Sequence, residues 1–154
     1  MAKWFKKIIS NFRANRITLT KIREAYLIRD SKFLINAYKY GHNHLKRTAV
    51  GYIGEINNQE NYNFLINEMQ LVQEVKLKSY IYLSIMNLAL NESIIITDDE
   101  SEYLNQNLDL LENIGYVTTQ PKDKKPKQTP ITFRNRLKDH LGILEQMKKD
   151  FETY

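Results

Sequence analysis

The residues best suited to metal chemistry are the three histidines. His42 and His44 lie two positions apart in a predicted turn, and imidazoles at that spacing can share a metal ion. A zinc site needs about three or four protein ligands, and the chain has no cysteine and no HExxH helix to supply the others. We therefore expect no metal, and we expect these two histidines to be solvated. His140 falls on an apolar helical stripe and is expected to pack there.

A run of acids, Asp98-Asp99-Glu100 followed by Glu102, suggests a cation site or the carboxylate pair of a glycosidase. Carboxylates in one helical turn do not face each other across a cleft, and acids favour helix N-termini. Thr97 and Glu100 have the spacing of a capping box, so we expect a structural role. The chain also has no GxSxG, GxGxxG or P-loop motif. We predict no catalytic residue, no cofactor and no enzymatic activity.

The N-terminal segment is the sharpest candidate for binding. Its apolar residues share one helical face: Trp4, Phe5, Ile8, Ile9 and Phe12. The candidate binding residues of this basic region are Trp4, Phe5, Lys6, Lys7, Arg13, Arg16, Lys21 and Arg23. A basic amphipathic helix can cap the first helical hairpin, lie on an anionic membrane, dock in a partner's groove or contact nucleic acid.

Tyrosine is the other candidate binding residue type, since the chain has 10 of them. Tyr52 and Tyr82 occupy equivalent positions of an internal repeat, and such rings can line a binding surface. The alternative interpretation, which we prefer, is that the rings fill gaps in the core.

The internal repeat predicts the fold. The tetrapeptide FLIN begins at Phe33 and again at Phe64, 31 residues later. In the next helix, apolar positions recur with an offset of 30 residues and the spacing of one helical face. These positions are Leu45, Ala49, Tyr52, Ile53 and Ile56, matched by Val75, Ser79, Tyr82, Leu83 and Met86. Each unit is therefore predicted to be a helical hairpin that must stack on a neighbour.

Residues 45–69, LKRTAVGYIGEINNQENYNFLINEM, resemble a HEAT repeat of the short kind found in phycobilisome lyases. Lys46-Arg47 matches the basic pair that opens the second helix, and Gly54-Glu55 begins the turn to the next one. The second copy departs from this pattern, because Lys76-Leu77-Lys78 replaces the basic pair and Ser84-Ile85 replaces Gly54-Glu55. The resemblance implies architecture alone, and nothing in it indicates a chromophore site.

We predict an all-α fold, a HEAT-like helical-hairpin solenoid (an α-α superhelix) with capping helices. The repeat domain spans residues 1–116, with units at about 30–59 and 61–90. Residues 117–131 are predicted to form a basic linker or loop rich in Pro and Lys. Residues 132–154 are predicted to form an amphipathic helix that packs on the same domain.

Charge is segregated along the chain. Residues 1–53 carry 12 Lys/Arg against 2 acids, whereas residues 54–112 carry 11 acids against 2 lysines. A protein-binding scaffold or adaptor is the preferred function, with an unknown protein partner. Weak nucleic-acid binding through the basic region, peripheral attachment to an anionic membrane and a dimer that pairs the two regions are the alternatives. No run of apolar residues is long enough to span a membrane, and we expect a cytoplasmic protein.

Overall fold

The computed structural model describes residues 3–4, 6–7, 16–115, 132–138 and 141–152. In these residues the chain is helical and has no strand, so the predicted all-α class is confirmed. The helices are α1 (Leu19–Leu27), α2 (Ser31–Tyr40), α3 (Asn43–Glu55), α4 (Gln59–Leu71), α5 (Val75–Ala89), α6 (Asp98–Gln106), the 3₁₀ helix η1 (Leu108–Ile114), α7 (Phe133–Lys138) and α8 (Leu141–Glu152).

Side-chain caps begin four of these helices. Thr18, Asp30 and Asn58 accept a hydrogen bond from the amide three residues later, at the starts of α1, α2 and α4. The predicted capping box of α6 is confirmed: the Thr97 hydroxyl accepts from the Glu100 amide at 3.2 Å, and the Glu100 carboxylate accepts from the Thr97 amide at 3.1 Å.

The region after α6 differs from the single helix to about residue 113 that the sequence predicts. The α-helix ends at Gln106, and the chain continues as η1. Gly115, with φ of 89°, ends η1 in the left-handed conformation, as expected for a stop signal. Short helical ends tighten readily into 3₁₀ geometry, which the apolar pattern alone does not reveal.

Helices α3 and α5 run side by side in the same direction. The Ser84 hydroxyl donates to the Val50 carbonyl at 3.0 Å, and one turn further the Asn87 amide donates to the Gly54 carbonyl at 2.9 Å. A Cβ atom added to Gly54 would lie 2.7 Å from Ser84 Cβ. The expected close approach at Gly54 is therefore confirmed, and its neighbour, Ser84, is the equivalent residue of the second repeat.

Helix α5 lies at the centre of the described core, as its pattern predicts. It contacts α3, α4, η1 and α8, and nine of its residues are buried. The residues predicted to be buried between hairpins are buried: Leu45, Ile53, Leu83 and Met86. A helix covered on several sides needs apolar residues nearly all round.

The C-terminal helices contact this core. The Phe133 ring meets the Tyr82 ring edge-on at 5.9 Å between centroids, and the Phe133 amide donates to the Ser101 hydroxyl at 2.8 Å. The Arg134 guanidinium donates to the carbonyls of Ala89, Asn91 and Ile94, just after α5. The predicted linker and His140 lie outside the described residues.

Candidate binding groove

A groove of about 150 Å³ lies where α3 and α5 begin. Because α3 and α5 are parallel and in contact, the turns that precede them, at residues 41–42 and 72–74, lie at the same end of the protein. The first two turns of each helix line this α3–α5 groove. Its polar and aromatic lining includes His44, Lys46, Arg47, Glu74, Lys76 and Tyr80.

Neither helix that opens on the groove has a side-chain cap. The N-cap residues are His42 for α3 and Glu74 for α5, and neither side chain accepts a hydrogen bond from the first turn. Backbone amides at a helix start carry partial positive charge that favours an anion. The first turns of α3 and α5 therefore add to the positive potential of the groove.

Side-chain charge in the groove is mostly positive. Lys46, Arg47 and Lys76 face one carboxylate, that of Glu74. The Arg47 guanidinium lies 3.9 Å from the centroid of the Tyr80 ring. This stacking restricts the guanidinium and leaves its planar set of donors oriented.

A second aromatic ring supports the other basic side chain of α3. The Lys46 ammonium lies 5.9 Å from the centroid of the Tyr38 ring. The Tyr38 hydroxyl donates to the Glu68 carboxylate at 3.1 Å, and the ring meets Phe64 edge-on at 5.6 Å. Burial, with the charge and hydrogen bond of Glu68, raises the pKa of Tyr38 well above its ordinary range. The Tyr38 side chain is thus neutral and held in place near neutral pH.

These groups suit the binding of an anion. A guanidinium pairs a carboxylate or phosphate through two parallel hydrogen bonds, and ammonium groups add point charges. The His42 and His44 rings are exposed and nearly parallel, with centroids 6.1 Å apart. In the described part of the chain, no three His, Cys, Asp or Glu side chains are grouped so that they could hold a metal ion.

The N-terminal candidate residues are only partly described. Trp4 is 68% exposed, and Lys6 and Lys7 are exposed as well. Phe5 and Arg13 lie outside the described residues. An exposed Trp next to lysines fits a docking segment, but no contact with the groove is seen for these three residues.

The remaining candidates do not form one surface. Arg16, Lys21 and Arg23 are exposed at and near the start of α1, where the Lys21 ammonium donates to the Arg16 carbonyl at 3.1 Å. Tyr52 is half-buried and stacks on Tyr26, with ring centroids 4.5 Å apart.

Tyr82 lies in the core and cannot present its ring to a partner. The side chain is fully buried, and its hydroxyl donates to the Leu104 carbonyl at 2.8 Å. Of the two interpretations of the repeated tyrosines, the structure places Tyr82 in the core-filling role. Burial raises the pKa of this phenol above its ordinary range.

The sequence did not single out the groove as a site, although it contains a usable signal. Lys46 and Lys76 are separated by the repeat offset of 30 residues, and each lies in the first turn of the second helix of its hairpin. Stacking of equivalent helices brings such a repeated charge together at one end. The contribution of Tyr80 depends on the register between α3 and α5, which the sequence does not give.

No protein-family model matches the chain, and searches of curated proteins and of solved structures find no match. The resemblance of residues 45–69 to a HEAT repeat therefore stays a prediction. Within the described residues, no helix is both long enough and apolar enough to cross a membrane.

Proposed function

We propose that this protein is a non-enzymatic scaffold that binds a protein partner through stacked, HEAT-like helical hairpins. The observation that supports this most is the parallel packing of α3 and α5, the equivalent second helices of two repeat units, with Gly54 against Ser84. Stacking of equivalent helices is how helical-repeat proteins build extended binding surfaces. The cationic groove at one end of this stack offers such a surface.

The test is to capture a partner with the tagged full chain from extracts of the source cell and to reconstitute the complex from purified components. Sedimentation and calorimetry should give a defined stoichiometry, and amide exchange should slow on α3 and α5. The proposal fails if no purified protein binds, or if the chain turns over a substrate and one side-chain substitution abolishes the turnover.

Nucleic-acid binding is the second candidate, because the basic side chains of the groove lie at the same end as those at the start of α1. α1 and α2 are joined by a short turn and pack together, so the start of α1 lies near the end of α2. Glu74 in the groove and Glu68 beside it oppose a long polyanion. Titration of a labelled duplex decides between the two candidates: an affinity much tighter than the roughly 10⁻⁶ M limit of non-specific binding at physiological salt would favour nucleic acid.

A further inference from the structure

We propose that the α3–α5 groove binds an acidic, aliphatic segment of a protein partner, in which a carboxylate pairs with Arg47 and its neighbours are neutralised by Lys46 and Lys76. The inference rests on the proposed scaffold function and names the chemistry of the partner. It is carried by three observations: the charge of the groove, the fixed guanidinium and the apolar residues beside it.

The charge of the groove selects a compact anionic group. Three cationic side chains surround a volume of about 150 Å³, and one carboxylate, Glu74, lies among them. A pocket of this size holds one or two carboxylates with their hydrogen bonds. It is too short to follow a nucleic-acid backbone, whose binding depends on many phosphate contacts.

The fixed guanidinium gives the groove directional recognition. Arg47 lies flat on Tyr80 at 3.9 Å, and Tyr80 is half-buried on α5. A restricted arginine loses less conformational freedom when a carboxylate pairs with it. Lys46 and Lys76 then add attraction that is less dependent on geometry.

The apolar residues beside the groove favour a peptide over a phosphate chain. The turn that leads into α5 carries Leu71, which is 69% exposed, and Val75, which is 51% exposed and immediately precedes Lys76. Burial of such side chains contributes free energy only if the partner has apolar groups of its own. A segment with both acidic and aliphatic side chains satisfies the whole surface.

The probes for the test are short labelled peptides added to the full-length chain. One peptide alternates Glu and Leu, a second alternates Gln and Leu, and a third alternates Glu and Ser. A single-stranded oligonucleotide of matched charge is the fourth probe. We expect the Glu/Leu peptide to bind most tightly, because it alone supplies both carboxylates and aliphatic side chains.

Substitutions in the groove should weaken binding of the Glu/Leu peptide. Arg47→Glu and Lys76→Glu should each reduce affinity about tenfold or more, the effect of losing one charged hydrogen bond. Arg47→Lys, which keeps the charge but loses the stacked fork, should weaken it by roughly threefold or more. Lys32→Glu is the matched control, since it makes the same charge change on an exposed residue at the far end of α2, and it should alter affinity by less than about twofold.

Val75→Ser tests the apolar part of the surface. It should weaken the Glu/Leu peptide and leave the Glu/Ser peptide unchanged. Circular dichroism and thermal unfolding identify any variant that does not fold, and Arg47→Lys then stands in for Arg47→Glu.

Two results would overturn the inference: unchanged peptide affinity in Arg47→Lys and Lys76→Glu, or tighter binding of the oligonucleotide with the same dependence on these residues. The scaffold proposal is judged separately. A captured partner that binds the wild type and the groove variants equally refutes the groove and supports the scaffold, whereas the absence of any protein partner refutes the scaffold.

Discussion

Helices α3 and α5 are two copies of one repeat helix, but their surroundings differ. Leu45 of α3 is 4% exposed, whereas its equivalent, Val75 of α5, is 51% exposed. Tyr52 of α3 stacks on Tyr26 at the edge of the core, whereas Tyr82 of α5 is buried under Phe133. Only the middle of the two helices, where Gly54 meets Ser84, keeps the relation that the repeat implies.

The difference shows what a helical repeat does and does not specify. Periodicity specifies which face of a helix turns inward, but the cover over that face comes from elsewhere in the chain. For α3 the cover includes α1, and for α5 it includes η1 and α8. The same residue type is therefore core in one copy and an edge residue in the other.

The largest expected effect is the loss of a buried side chain from α5. Leu83 is 2% exposed on a helix covered on several sides, where its neighbours can relax little into a cavity. Leu83→Ala should lower the free energy of unfolding by about 2–5 kcal/mol. Urea unfolding followed by circular dichroism measures it.

Val75→Ala, on the same helix, is the control and should change stability by less than about 0.5 kcal/mol, because the side chain is half-exposed. A loss at Leu83 below about 1 kcal/mol, or a loss at Val75 as large as that at Leu83, would contradict the difference in cover described above.

The next effect concerns the contact that both copies share. Gly54→Val should lower stability by about 1–3 kcal/mol or more, since the added atoms overlap Ser84 and push α3 from α5. Gly142→Ala, where an added Cβ meets nothing within 4 Å, should raise stability by no more than about 1 kcal/mol. Similar thermal shifts at the two glycines would mean that α3 and α5 are further apart than in this structure.

Much of the helical framework follows from local sequence. Asp30, Asn58 and Thr97 begin helices through side-chain bonds that act within three residues, and the small residue at Gly54 signals a close neighbour. The tendency to form these elements is encoded within a few residues, so it can be predicted from one sequence.

The groove could not be predicted in the same way. It exists because Arg47 of α3 meets Tyr80 of α5, two residues 33 positions apart, whereas the repeat offset is 30. The exposure of Val75, despite its match to buried Leu45, has the same origin. Both depend on how far one helix slides along the other, and side-chain packing in three dimensions sets that distance.

A smaller effect is expected from the buried hydroxyl of α5. Tyr82→Phe removes the hydrogen bond to the Leu104 carbonyl and should cost about 0.5–1.5 kcal/mol. Tyr80→Phe, on the same helix but half-buried, is the control and should cost less. Chemical unfolding at neutral pH compares them, and equal losses would argue against the specific role of Tyr82.

The same phenol makes stability depend on alkaline pH. Burial raises the pKa of Tyr82 in the folded chain, so the folded state keeps this proton at pH values where the unfolded chain has lost it. Stability should therefore be constant below about pH 10, the pKa of an unfolded tyrosine, and fall as the pH rises above it. Tyr82→Phe should make this fall less steep.

The smallest effect concerns a feature that α3 and α5 share, their uncapped starts. His42→Ser gives α3 a hydroxyl that can accept from its first turn, and it should raise stability by on the order of 0.5–1 kcal/mol. Glu74→Ser does the same for α5, and Thr97→Ala, which removes the existing cap of α6, is the opposite control. A gain at both starts would mean that their amides are unsatisfied in the free protein and available to an anion in the groove. If only one start gains, the other already has a partner, and the two helices differ at this end as they do along their outer faces.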